Sequence, residues 1–279
     1  MRPNPMLTVL QRPRGASGRR LRRGVYLLPS LFTLGNLFCG YACIVYSMRG
    51  AFEQAALFIG VAVVLDMLDG RVARMTGTSS EFGVQFDSLA DVVSFGLAPA
   101  VLAFQWGLSE FGQAGWAAGF IYVAAAAIRL ARFNIQTTSQ NTDKRYFVGM
   151  PSPPAAGVPA STVFAYPYGL ESWHALLALP MVLVPAFLMV STIRYRSFKT
   201  FDLGVRRSYR NLLLIALLMA AVATQPKVTL VVFAYLYLAS GLIGFVWGRV
   251  VRRDAKPEAP SEAPAAPDEA EPSPGHAQR

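Results

Sequence analysis

Two cysteines and two histidines in 279 residues leave little from which to build a zinc site. Cys39 and Cys43 lie i,i+4 inside one apolar run, and the histidines, His174 and His276, stand far from them in the chain. A tetrahedral nitrogen and sulfur site cannot be assembled from this set. The cysteines are read instead as small packing residues of an apolar helix. Charge is scarce as well: 15% of residues are Asp, Glu, Lys or Arg, against 53% hydrophobic. A water-soluble core of this size would need more polar surface, so the composition points to an integral membrane protein. The chain shows no internal repeat and no stretch suited to fold as a separate soluble domain.

The formal net charge is +10, but the basic residues fall in blocks between apolar runs rather than along one face. That distribution argues for membrane topology and against nucleic-acid binding. Residues 1–24 carry seven arginines among Pro and Gly, which predicts a basic cytoplasmic arm. The apolar run from Val25 to Met48 is too long for a signal-peptide core and has no small-residue cleavage site after it, so it is read as the first membrane helix. Seven further apolar segments follow, at about 51–75, 84–106, 114–134, 152–170, 172–193, 210–224 and 228–249. Most are close to the ~20 residues that cross a bilayer.

Pro153, Pro154, Pro159 and Pro167 interrupt the fifth segment, a pattern tolerated in a membrane where neighbouring helices or a cavity satisfy the freed backbone groups. The basic loops at 129–145 and 194–210 both belong inside, so an even number of crossings lies between them, and the proline-rich segment is retained. Eight spans with the amino terminus inside leave Arg49 and Lys227 on the outer face and the remaining basic residues on the inner side. The expected fold is an all-α integral membrane protein with about eight transmembrane helices and both termini cytoplasmic. Its parts are the arm at 1–24, a transmembrane domain at 25–250, and a disordered Pro, Ala and Glu-rich tail at 251–279.

The chemistry concentrates between residues 66 and 91, where Asp66, Asp69, Gly70, Ala73, Arg74, Gly83, Asp87 and Asp91 form the pattern D-x2-D-G-x2-A-R-x8-G-x3-D-x3-D. Asp66 and Asp69 fall in the last turns of the second segment, roughly 9 to 14 Å along the helix from Met75 at about 1.5 Å per residue. They share one helix face, Asp87 and Asp91 share a face of the next helix, and a turn at about Thr76 to Phe82 lets the faces meet. Each mid-membrane Asp costs about 2.5 to 3.5 kcal/mol, so four cost on the order of 10 kcal/mol without compensation. Arg71 and Arg74 cannot neutralise all four. Two divalent cations can, and an all-oxygen ligand set suits Mg²⁺ or Mn²⁺, which suggests phosphoryl transfer. Gly70 and Ala73 leave room for a substrate, Arg74 offers a planar fork for phosphate, and Thr78 and Ser80 can donate hydrogen bonds to the same group.

The pattern resembles the signature of the CDP-alcohol phosphotransferase family at every position. Enzymes of that family displace CMP from a CDP-linked lipid or alcohol with a hydroxyl nucleophile. The resemblance implies that Asp66, Asp69 and Asp87 are metal ligands, that Asp91 is a ligand and the general base, and that Gly70, Ala73, Arg74 and Ser80 contact the CDP moiety. Further stretches look like the branch of the family whose acceptor is L-serine: Thr33 to Gly40, Phe86 to Gly96, Arg129 to Asn134, Pro151 to Pro153, and Ser197 to Lys199 after Arg194. They cover about residues 25–245. The implied substrates are CDP-diacylglycerol and L-serine, with two Mg²⁺ or Mn²⁺ ions, membrane lipids around the chain and a homodimer as the assembly. Arg129, Arg132, Arg194 and Lys199 are candidates for the serine carboxylate, with Asn36 and Asn134 as polar contacts. Each of the four cations also suits a headgroup anchor.

A sibling enzyme that takes glycerol phosphate, an inositol phosphate or choline keeps the same chemistry, and the basic loop at 194–210 is compatible with a phosphorylated acceptor. A divalent-cation transporter would need polar residues on several helices leading to the outer face. The outer halves of the segments are apolar. A purely structural metal site would not need the adjacent Gly, Ala and Arg.

Overall fold

The computed structural model describes residues 17–76, 80–138, 146–170, 172–196 and 209–254. Every expected apolar segment is helical. The first two helices are α1 (Ser17–Met48) and α2 (Phe52–Thr76). Next come α3 (Glu81–Asp91) and α4 (Ala98–Trp106), joined without a break by a π-helical turn, Val92–Leu97. A short 3₁₀ turn, Leu108–Phe111, leads to α5 (Gln113–Thr138). Strand β1 (Tyr146–Val148), α6 (Ser152–Ala165) and a second 3₁₀ turn (Ser172–Leu177) then precede α7 (Ala178–Val190). Strand β2 (Arg194–Arg196), α8 (Tyr209–Thr224) and α9 (Pro226–Asp254) complete the described chain.

Helix α1 starts at Ser17, ahead of the apolar run at Val25, so the helix extends into the arginine-rich arm. Arginine is a good helix former, which suits this extension. The rest of the arm and the tail from residue 255 onward lie outside the described residues.

Hydrogen bonds between loops show how the helices alternate. The end of α2 and the start of α3 define what is called here the near end. Trp106, at the close of α4, accepts from Leu170 N–H at 2.7 Å at the far end. Back at the near end, Gly149 N–H reaches Ile193 O at 2.8 Å and Met150 N–H reaches Leu188 O at 3.0 Å. The chain therefore leaves the near end through α6 and returns to it through α7. Antiparallel pairing of β1 with β2, with Phe147 opposite Tyr195, closes the same end. This two-stranded ladder was not expected in an all-α chain. Here the segment entering α6 and the segment leaving α7 run side by side and satisfy backbone groups on each other.

Helix α6 is central, contacting α2, α4, α7 and α9. Its residues Ser152, Ala155, Ala156, Val158, Pro159, Ala160, Ser161 and Val163 are buried. Small side chains let neighbouring backbones approach, the usual basis of helix packing where lipid removes the hydrophobic drive. The prolines fit: two fall in the first turn, and Pro159 lies inside, where surrounding helices cover the backbone.

Among the described residues, five stretches are long and apolar enough to cross a membrane: Ser30–Met48, Glu81–Trp106, Gln113–Gln136, Trp173–Val190 and Pro226–Ile243. This is fewer than the eight expected. Helix α2 has the length, 25 residues, but carries Glu53, Asp66, Asp69 and Arg71. Helices α6 and α8 have 14 and 16 residues, short of a full crossing on their own.

Candidate functional site

The acidic residues gather at the near end, where α2 stops and α3 begins. Helix α3 starts there because Ser80 caps it, its Oγ accepting from Gly83 N–H at 3.0 Å. A Cβ on Gly83 would stand 3.1 Å from that oxygen, so the glycine keeps the cap close. Ser80, expected at the nucleotide, thus uses its oxygen as a cap, while its hydroxyl proton stays available to a ligand. Gly70 follows Asp69 directly in α2 and is half-buried. Ala73 and Arg74 continue the same helix with side chains outside the described residues, and Thr78 and Lys199 are outside them altogether.

Carboxylate oxygens of Asp66, Asp87 and Asp91 lie within 4.8 Å of one another. Two ligands on opposite sides of an octahedral Mg²⁺ stand about 4.2 Å apart, so this spread is close to that of a single bound ion. One Asp87 oxygen, Oδ1, is buried and has no hydrogen-bond partner among the described residues. A buried, unpaired carboxylate oxygen is costly, and a cation would satisfy it. Two like charges at this separation repel by about 3 to 4 kcal/mol at an effective dielectric of about 20. The donor set fits a hard divalent ion, and Asp66, Asp87 and Asp91 are the residues placed to hold it.

Asp69 is turned differently. Its Oδ2 accepts a hydrogen bond from Thr33 Oγ1 of α1, and the residue is 6% exposed. Three of the four expected ligands therefore converge while the fourth is held by a neighbouring helix. Asp91 is also held from α1: Asn36 Nδ2 donates to its Oδ1 at 3.1 Å. Asn36 was expected to touch the acceptor, and its donor instead serves a carboxylate. A polar pair at i and i+3 in an otherwise apolar helix is the signal that could have revealed this role, but the partners are fixed only by tertiary packing.

The stretches at 129–134 and 151–153 meet around the same centre, while Ser197 to Lys199 lies outside the described residues. Arg129 of α5 is 9% exposed and donates from Nη1 to Ser152 Oγ, at the start of α6, at 2.5 Å. Its charge acts on Asp91 and Asp66, and its Nε is buried without a hydrogen-bond partner among the described residues. Asn134 Nδ2 donates to Ser88 Oγ at 2.9 Å, tying α5 to α3. Arg132 is half-buried on α5, and Arg194 lies in β2, its side chain outside the described residues. Among the described side chains, one guanidinium stands beside three carboxylates, an excess of negative charge. Such an excess suits a cation first and a pyrophosphate through that cation.

Comparison with known proteins gives a concordant result. A family model described as CDP-alcohol phosphatidyltransferase matches residues 26–193, a range that contains the whole acidic cluster. Over 226 residues the chain is 38% identical to a CDP-diacylglycerol–serine O-phosphatidyltransferase of Helicobacter pylori, covering 80% of this chain and 92% of that protein. The protein of the same name from Mycobacterium leprae is 33% identical over 226 residues, with 78% and 75% covered. An archaetidylserine synthase of Methanothermobacter thermautotrophicus is 34% identical over 171 residues, with 60% and 69% covered.

Proposed function

The chain belongs to the CDP-alcohol phosphatidyltransferase family, and from that premise we propose that it transfers the phosphatidyl group of CDP-diacylglycerol to the hydroxyl of L-serine, releasing CMP. Convergence of Asp66, Asp87 and Asp91 within 4.8 Å carries the chemistry. The activity for which the relatives are named carries the choice of acceptor.

In this reading the serine hydroxyl oxygen attacks the phosphorus on the lipid side of the pyrophosphate. The bond from that phosphorus to the bridging oxygen breaks, and CMP departs with the electron pair. Asp91 takes the hydroxyl proton; fixed through Oδ1 by Asn36, it presents its other oxygen. Asp66, Asp69, Asp87 and Asp91 hold Mg²⁺ or Mn²⁺, with two ions as the expected number. When bound, these ions supply charge neutralisation for the pyrophosphate and the leaving CMP. Gly70 and Ala73 make room for the CDP moiety, and Arg74 and Ser80 bind it. Of the two candidate cations whose side chains are described, Arg129 and Arg132, Arg129 stands beside Asp91 and its Nε has no hydrogen-bond partner among the described residues, which supports it as the partner of the serine carboxylate.

The same reading places eight spans in a cell membrane, with both termini and the acidic cluster on the cytoplasmic side. Alternation of the helices between near and far ends supports eight passes, and the basic connections at the near end support the orientation. Residues 1–24 act as a basic arm whose end forms the start of α1, 25–250 as the catalytic membrane domain, and the Pro, Ala and Glu-rich stretch expected from 251 as a tail, with the correction that α9 runs on to Asp254. A homodimer in the membrane is the proposed assembly.

The test is CMP release by the purified protein in detergent with CDP-diacylglycerol and Mg²⁺ or Mn²⁺, offering L-serine, glycerol 3-phosphate, myo-inositol, inositol phosphate or choline singly. Release with serine alone is the expected result. Release with another acceptor would move the chain to a sibling activity, and no release with any of them would favour cation transport through the acidic cluster.

A further inference from the structure

We propose that Thr33 and Asn36, one turn apart on α1, are positioning residues that fix the working orientation of Asp69 and Asp91 from a third helix. Each gives a hydrogen bond to one oxygen of one carboxylate, Thr33 Oγ1 to Asp69 Oδ2 and Asn36 Nδ2 to Asp91 Oδ1. Each carboxylate is thereby pinned through a single oxygen, and its second oxygen is left for ligation or proton transfer. The inference rests on the metal-site reading above and deepens it.

Three observations separate this role from ordinary helix packing. First, Asn36 is 1% exposed, and its Oδ1 has no hydrogen-bond partner among the described residues. A buried carboxamide that leaves its own acceptor unpaired while its donor serves a carboxylate is a poor choice for stability alone, because an apolar residue of that size would cost less. The opposite amide orientation would set Oδ1 against the carboxylate, so the donor is the group that the site needs.

Second, Asn36 is itself anchored. Its backbone carbonyl accepts from Ser94 Oγ at 2.8 Å. One turn further along α1, a Cβ on Gly40 would lie 2.6 Å from Ser94 Oγ and 2.8 Å from Ser94 Cα, so only glycine permits this approach. Third, Ser94 lies in the π-helical turn Val92–Leu97, which starts immediately after Asp91. That turn shifts the register of everything following the carboxylate relative to a regular helix. Helix α1 thus grips Asp91 directly and grips the turn behind it.

Hydroxyl and carboxamide partners of metal-binding carboxylates typically change metal affinity or activity by about 10- to 100-fold when removed. The test uses full-length protein in detergent, with Mn²⁺ binding followed by electron paramagnetic resonance and CMP release measured in parallel. Thr33→Val removes the hydroxyl at nearly constant shape, and Thr33→Ser restores it. The expected result is Mn²⁺ affinity about 10- to 100-fold weaker for Thr33→Val and near wild type for Thr33→Ser, with metal-free thermal midpoints alike. Asn36→Asp keeps the shape but removes the donor. It is expected to lower kcat at least tenfold while the KM for CDP-diacylglycerol stays within about threefold.

Equal Mn²⁺ affinity in wild type, Thr33→Val and Thr33→Ser would overturn the inference and leave the metal site standing. Equal loss in both variants would overturn it too, since the hydroxyl would not be what matters. Absence of Mn²⁺ binding by the wild-type protein would overturn the metal-site reading along with it. Should Thr33→Val not fold, the Asn36→Asp split between kcat and KM decides: a wild-type kcat would overturn the proposal.

Discussion

The two halves of the bundle are built differently. At the near end, polar side chains cross between helices: Thr33 to Asp69, Asn36 to Asp91, Asn134 to Ser88, and Arg129 to Ser152. The far half contains a cavity of about 610 Å³ lined mainly by apolar residues, among them Trp106, Val158, Leu170, Met181 and Leu238. Polar ties there are sparser among the described residues. Trp106 Nε1 donates to Tyr166 O at 2.9 Å, and a Lys227–Glu53 pair spans 2.9 Å with both side chains 42% exposed. The contrast teaches where geometry is held tightly. Carboxylates that must keep a fixed separation are tied from several helices, whereas the far half opens into an apolar recess with few polar ties among the described residues.

The comparison can be broken at either end, and the largest effect is expected at Asp91. Asp91→Asn should cut turnover by about 10²- to 10⁴-fold through loss of a general base while CDP-lipid binding persists. Rapid-quench turnover and equilibrium binding of a CDP-lipid measure the two separately; loss of both would make Asp91 a ligand only. In the far half, Trp106→Ala should instead cost about 3 to 5 kcal/mol of stability by enlarging the cavity. The activity of its folded fraction should stay within about twofold, since distant sites act independently. Calorimetry with an assay at low temperature checks this, and a large fall in kcat would show that the halves are coupled.

Arg129→Lys keeps the charge but removes Nε and the planar fork. The expected outcome is a KM for serine raised by about 10- to 100-fold, the value of a hydrogen bond to a charged group. Initial rates against serine concentration provide the readout. The smallest effect is expected for Glu53→Gln. Its ion pair with Lys227 is well exposed, so after allowance for solvent screening its loss should cost less than about 1 kcal/mol. Thermal unfolding should barely move, and CMP release should not change.

Much of this architecture was legible in the sequence because hydropathy and charge report directly on membrane helices. All eight apolar segments are helical, and α6 survives its prolines as the loop charges required. The span count was less legible: among the described residues five stretches qualify by length and apolarity, because the site carboxylates break the apolar run of α2 and because α6 and α8 are short. The π-helical turn at Val92–Leu97, where Ser94 packs closely against Gly40 of α1, leaves no trace in periodicity. The β1–β2 ladder pairs segments almost fifty residues apart and could not be read from either alone. At the site, the spacing of Asp66, Asp87 and Asp91 anticipated a cluster, but nothing local told Asp69 to turn toward Thr33.

The most direct test of the central claim, that the near-end carboxylates form a metal-dependent phosphatidyl transfer centre for serine, is incorporation of labelled L-serine into lipid by the purified protein with CDP-diacylglycerol. The account predicts label in the lipid fraction, abolished by a chelator and restored by added Mn²⁺ or Mg²⁺. Label that persists at full rate after complete chelation would contradict it.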